Sequence, residues 1–240
     1  MNGKEIKKLL KKIWRFIWED DSIWSWIANV ILAFILIKFV VYPVMGFALN
    51  TNYPVVAVVS SSMEHRTVPS CIRSGYIDML GKRIGNCAEY NYDICGNGYN
   101  EKKSFDINEY WDTCGKWYGL NTDISKDKFS GFSFKDGFNK GDIMVLMGKD
   151  AEKIAVGDVI VFKSDGKDPI IHRVVKKAMK DGKVYFQTKG DNNGDSIKTL
   201  ALDETNLSQD VVIGKAILRV PLLGYIKIWF VDILKFVGFA

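Results

Sequence analysis

From Ile23 to Leu49 the chain reads IWSWIANVILAFILIKFVVYPVMGFAL, and Lys38 is the only ionised side chain in it. A helix rises about 1.5 Å per residue, so a run of this length crosses a hydrocarbon core of ~30 Å. Residues 23–49 therefore read as a transmembrane anchor. The competing reading is a cleaved signal peptide, since Gly46 and Ala48 offer a small-x-small pattern. Signal-peptide apolar regions extend only about 7 to 15 residues, which favours a retained anchor. A core helix of a soluble fold is rarely apolar on every side for so long.

The formal net charge of +5 lies entirely in the first eighteen residues, where Lys4, Lys7, Lys8, Lys11, Lys12 and Arg15 are opposed by Glu5 alone. Under the positive-inside rule residues 1–22 form a cytoplasmic basic segment. Everything beyond about residue 50 is then extracytoplasmic, giving a single-pass protein of the cell membrane with the lipid bilayer as its first partner. The rest of the chain is charge-balanced, which argues against a broad basic face and excludes nucleic acid as a partner. A second apolar stretch at 221–240, PLLGYIKIWFVDILKFVGFA, carries Lys227, Asp232 and Lys235 within an arc of about 140° on a helical wheel. It reads as an amphipathic helix at the membrane surface, with a second span as the alternative.

Between these segments the chain shows short Val/Ile/Phe-rich runs at 54–59, 142–147, 158–162, 170–175, 183–188 and 211–218, several bounded by Gly-Asp or Asp-Gly turns. No long amphipathic pattern separates them, so the expected fold is an all-β core assembled from 50–70 and 131–220. Residues 71–130 interrupt it as an insertion holding all four cysteines, Cys71, Cys87, Cys95 and Cys114. None forms a CxxC pair and no histidine lies among them, so a zinc site fits poorly and no metal is expected. Outside the membrane an even count suggests two disulfides of undetermined pairing, with buried free thiols as the alternative. The insertion is expected to be separable from the chemistry.

That chemistry centres on the run Ser60-Ser61-Ser62-Met63-Glu64-His65 after the strand PVVAVV. Alternation in an extended chain places Ser60 and Ser62 on one face and Ser61 on the other. A serine hydroxyl needs a neighbouring base to act as a nucleophile, and the chain has only two histidines, His65 and His172. Spacing alone does not set either ring against a hydroxyl.

Ser-x-Ser-Met-Glu after a hydrophobic strand, just beyond a membrane anchor, resembles the nucleophile box of type I signal peptidases. Gly157-Asp158-Val159-Ile160-Val161-Phe162, Ile171-His172-Arg173-Val174, Lys189-Gly190-Asp191-Asn192-Asn193 and Leu223-Gly224-Tyr225 resemble the boxes that follow in that family, in the same order. His172 stands where bacterial members carry lysine, so the chain is similar to the archaeal and endoplasmic-reticulum type and leans towards an archaeal member. His65 stands where the family usually has proline. The acidic pair in GDNNGD is four residues apart, closer than family members generally space it.

The resemblance implies a signal-peptidase-like, repressor-peptidase-like β fold and a membrane-bound serine endopeptidase. It would cleave signal peptides from secretory preproteins without a cofactor, with the protein-export channel as a further partner. It implies Ser62 as nucleophile and His172 as general base. Ser60 and the Ser62 backbone N–H would serve the oxyanion, and Asp191 or Asp195 would orient His172. A reading of another class is a membrane-anchored binding module that recognises its partner through the Cys-rich insertion. A soluble self-cleaving peptidase of the repressor type fits less well, because such proteins pair serine with lysine and have no anchor.

Overall fold

The computed structural model describes residues 3–73, 89–148, 150–164, 169–225 and 229, with only the backbone described at 71–73 and 89–90. The chain divides into two compact units, Met1–Asn52 and Tyr53–Ala240. In the first, helix α1 covers Gly3–Trp18. After a break at Glu19–Asp21, α2 begins at Ile23, where the Ser22 hydroxyl caps the Ser25 N–H, and runs to Leu36. A π-helical turn, Ile37–Val41, joins it to α3, Tyr42–Ala48. Proline lacks the N–H that a regular turn needs and crowds the carbonyl four residues earlier, and the widened turn sits directly before Pro43. The joined Ile23–Ala48 helix is 26 residues long and apolar enough to cross a membrane, as the sequence predicts.

The second unit is built on a seven-stranded sheet whose described pairings are all antiparallel. Its strands are β1 (Val55–Ala57), β5 (Ile143–Met147), β6 (Val159–Phe162), β7 (Ile170–Lys180), β8 (Lys183–Lys189), β9 (Leu207–Ser208) and β10 (Val212–Val220). They lie in the order β1-β5-β10-β6-β7-β8-β9. All six runs expected from composition form strands, within a few residues of their predicted bounds except that β7 continues five residues further.

β6 occupies the middle of the sheet and is buried at all four positions. Val159 and Val161 point into a cluster with Val58, Met63, Phe138 and Met144, while Ile160 and Phe162 join Val174, Val184, Phe186 and Leu207 in another. The two-residue period of a strand therefore serves two cores, and full burial of each such side chain stabilises by about 1.5–3 kcal/mol.

The insertion contains more regular structure than its loop-rich composition suggests. A three-stranded sheet pairs β2 (Val68–Arg73), β3 (Glu89–Ile94) and β4 (Asn97–Tyr99). Two helices follow, α4 (Ile107–Asn121) and α5 (Lys126–Ser130). The start of α4 is set by a reciprocal capping box between Asp106 and Glu109. Gly115 and Gly119 lower its helix propensity and hide it in the sequence. Cys95 and Cys114 form a disulfide that ties the end of β3 to α4. The second of the two expected disulfides lies outside the described residues, as does most of the predicted C-terminal helix at 221–240.

Candidate active site

Ser62 lies in the loop that follows β1, and a dense set of hydrogen bonds fixes the backbone around it. The Glu64 N–H closes a turn onto Ser61 O, and the Phe138 N–H donates to Met63 O. Asn192 contributes most: its N–H donates to Ser62 O, while its Nδ2 donates to Glu64 O and Arg66 O, each at 2.7 Å. Gly137 passes so close that a Cβ there would stand 2.4 Å from Met63 O, at a φ of +68° that also favours glycine.

The Ser62 and Ser60 hydroxyls come within 3.1 Å of each other. They share a face, as alternation predicts, although the strand itself ends at Ala57. His172 is carried by β7 in register with Ile160 of β6. Its Nε2 lies 2.9 Å from Ser62 Oγ, and the residue is 2% exposed. The backbone of Gly190 closes over this contact, since a Cβ there would meet both His172 Nε2 and Ser62 O at 2.8 Å. Any side chain at 190 would wedge the pair apart.

The carboxylate beside His172 is neither of the two named from sequence. Glu204, fully buried, accepts a hydrogen bond from His172 Nδ1 at 2.5 Å. Its carboxylate is held by the Thr188 hydroxyl at 2.7 Å and the Ile197 N–H at 2.8 Å. With Nδ1 donating to Glu204, Nε2 of a neutral ring is left as the acceptor facing the Ser62 hydroxyl. The line Ser62–His172–Glu204 can thus take a proton from the serine and stabilise the imidazolium that forms. Glu204 was missed because it stands 32 residues beyond His172, in the segment before β9, and only the folding of that segment against Thr188 brings it in.

Asp191 and Asp195 sit elsewhere. Asp191 is buried and paired with Arg173 through two hydrogen bonds, at 2.9 and 2.6 Å, and with His65 Nε2 at 3.2 Å. Burial alone would push its carboxyl up, but the charge and hydrogen bonds of Arg173, joined by His65, hold it well below the usual carboxylate range. Asp195 accepts from the Trp117 indole N–H at 2.9 Å and from the Ser196 N–H. Neither carboxylate has a hydrogen bond to His172 among the described residues.

The insertion reaches this centre directly. The Tyr110 hydroxyl of α4 donates to Asp191 O at 2.8 Å, and its ring stacks on His65 at a centroid distance of 3.6 Å. The Cys95 N–H donates to Asn192 O. Phe129 packs beneath the Arg173 guanidinium at 4.9 Å, and Val175 of β7 belongs to the aromatic cluster of the insertion. The insertion therefore braces the loop that carries Asn192, and the expectation that it is separable from the site does not match the geometry.

Lys189, the residue of β8 that pairs with Arg173, is also fully buried. Its Nζ donates to Gly190 O and lies 5.1 Å from the Trp117 ring. Burial pushes its pKa down to about 8 despite attraction from Asp191, Asp195 and Glu204. The charged amine is therefore disfavoured in the folded state. Folding stability should rise as pH climbs from about 8 towards the ordinary lysine value near 10.4, where the unfolded chain still binds the proton. Lys189→Met is expected to stabilise the protein near pH 7, on the order of 1–3 kcal/mol, with the gain vanishing by about pH 10. Urea unfolding at pH 7 and pH 10 checks this, and a gain equal at both pH values contradicts it.

A cavity of about 330 Å³ opens beside the Ser62 hydroxyl, lined among others by Ala57, Val59, Ser60, Ile170 and Ile171. Its walls are mostly apolar. β1, which leads to it, is an edge strand bonded only to β5 in the described sheet.

Scanned against models of protein families, the chain matches none. Among curated proteins it is 34% identical over 99 residues to the signal peptidase complex catalytic subunit SEC11 of Pyricularia oryzae, covering 40% of this chain and 58% of that protein. It is 37% identical over 107 residues to the signal peptidase complex catalytic subunit SEC11C of Homo sapiens, covering 43% of this chain and 56% of that one. The chain spans somewhat over half the length of the curated relatives it matches. By its sequence, then, the chain that sets Ser62, His172 and Glu204 in one line is similar to the catalytic subunits of signal peptidase complexes.

Proposed function

We propose that this chain is a membrane-anchored serine endopeptidase that removes signal peptides from exported preproteins. The observation that carries the reading is the hydrogen-bonded line from Ser62 Oγ through the His172 ring to Glu204, at the mouth of a small apolar cavity. The similarity to signal peptidase catalytic subunits supplies the substrate class. A module that only binds a partner through the insertion draws no support from those relatives.

In the proposed reaction Ser62 Oγ attacks the scissile carbonyl as its proton passes to His172 Nε2, and Glu204 stabilises the imidazolium. The resulting oxyanion is met by the Ser60 hydroxyl and the Ser62 N–H. Collapse of the tetrahedral species breaks the C–N bond, and His172 returns the proton to the leaving amine. Water, deprotonated by the same ring, then hydrolyses the ester to release the signal peptide as a carboxylic acid. An extended substrate can add to the free edge of β1, which leads its small side chains to the cavity. The Ile23–Ala48 helix keeps the enzyme in the membrane where the apolar part of a signal peptide already resides.

The full chain, reconstituted with a purified precursor whose signal peptide ends in Ala-x-Ala, is expected to make one cut immediately after the final Ala. Mass spectrometry of the new N-terminus reads the outcome. No cleavage, or scattered cuts unrelated to small residues, would overturn the proposal.

A further inference from the structure

The strongest feature that the proposed reaction leaves unused is α1. At ~100° per residue its six basic side chains, Lys4, Lys7, Lys8, Lys11, Lys12 and Arg15, fall within an arc of about 140°. Ile6, Leu9, Leu10, Ile13, Phe16 and Ile17 fill the opposite side, with Trp14 at one border and Trp18 just inside the basic arc, its ring 5.7 Å from that of Trp14. No residue of α1 is buried, and Leu10 and Trp14 are each 60% exposed. A soluble helix with such an apolar face would lay it against a core.

The N-terminal unit does not supply that core. α1 touches α2 at a corner, where the Ser25 hydroxyl donates to Phe16 O at 2.5 Å and Asn29 Nδ2 donates to Ile17 O at 2.9 Å. These bonds satisfy carbonyls that the last turn of a helix leaves without partners. Beyond the corner the helices part: Ser25 is the only buried residue of α2, while Leu32 and Leu36 remain about half exposed. The corner leads straight into the membrane-length helix Ile23–Ala48.

We infer that α1 is an interfacial helix that docks on the anionic phospholipid headgroups of the bilayer crossed by Ile23–Ala48. Continuity with that helix brings α1 to the membrane surface. Its apolar arc fits the boundary between headgroups and acyl chains, and a tryptophan at the border, Trp14, suits that depth. The charge complementarity selects the lipid: a cluster of six cations beside one acid favours a negatively charged leaflet, each cation near the surface strengthening binding roughly fivefold. The docking does not depend on peptidase activity, and a catalytically dead chain would show it equally.

The test uses the full chain in nanodiscs of phosphatidylcholine alone and in nanodiscs rich in phosphatidylglycerol, with amide hydrogen exchange followed on peptides covering residues 3–18. Exchange is expected to be about tenfold slower in the anionic discs, and the difference should shrink at high salt. The variant K4Q/K8Q/K11Q/K12Q should lose the difference while residues 23–48 stay protected. The corresponding four-arginine variant should keep it, which separates charge from helix loss. Equal exchange of the wild-type helix in the two lipids would overturn the inference. So would protection that is independent of lipid charge and grows with the number of chains per disc, since that marks a second copy as the occupant.

Discussion

Ser62→Ala is expected to abolish precursor cleavage, with a fall in kcat of about 10⁴-fold or more, while folding and membrane insertion are unchanged. The basis is the 2.9 Å contact with His172 Nε2, made from a backbone that the Asn192 N–H holds at Ser62 O. Ser61 lies next in the chain but lines a different cavity, with Arg66, Lys102 and Lys140, so Ser61→Ala should keep most activity. Ser60→Ala should fall between the two, by about 10²–10³-fold, as expected for one lost oxyanion donor. Single-turnover cleavage of a purified precursor, beside thermal unfolding of each variant, measures this. Similar losses for Ser61→Ala and Ser62→Ala would mean that the run has a structural role and would remove Ser62 from the mechanism.

Glu204→Gln and Asp191→Asn should fail in opposite ways. At Glu204 an amide that turns its N–H₂ towards His172 forces the proton onto Nε2, where it can no longer accept from serine. Loss of kcat of up to about 10⁴-fold is expected, with little change in KM. At Asp191 the loss is one of stability. Arg173 is fully buried, and its remaining hydrogen bonds are to the carbonyls of Ser133, Phe134 and Gly157. Asp191→Asn leaves that guanidinium without its counter-charge, which typically costs about 3–5 kcal/mol.

Because the Asp191 carboxyl is held low in the folded state, its contribution is present above the unfolded aspartate value near 3.9 and is lost as pH falls below it. Wild-type stability should therefore drop below about pH 4 more steeply than that of Asp191→Asn. Urea unfolding across pH 3 to 7 tests the stability difference, and kcat of the folded fraction tests the chemistry. If Asp191→Asn loses activity as Glu204→Gln does without losing stability, Asp191 rather than Glu204 serves the imidazole.

Most of the frame was legible in the sequence because it depends on local pattern. A run of 27 residues with one charge dictates a membrane-length helix whatever surrounds it. Val/Ile/Phe-rich runs between Gly-Asp turns dictate strands. The alternation at Ser60 and Ser62 anticipated which hydroxyls would meet, and the resemblance singled out His172. α4 escaped because its two glycines and weak amphipathic pattern hide a start that the capping box makes plain once the backbone is seen.

What only the tertiary structure decided was which acid is hydrogen-bonded to which base. In GDNNGD two aspartates stand in the right box, four residues apart. Yet the guanidinium of Arg173, adjacent to His172 but pointing to the opposite face of β7, captures Asp191, and the Trp117 indole takes Asp195. The position next to the imidazole is left to Glu204, distant in sequence and delivered by a segment that folds back onto β8. The physical reason is that neighbouring strand residues face opposite sides, so adjacency along the chain separates side chains that sheet pairing and loop return bring together.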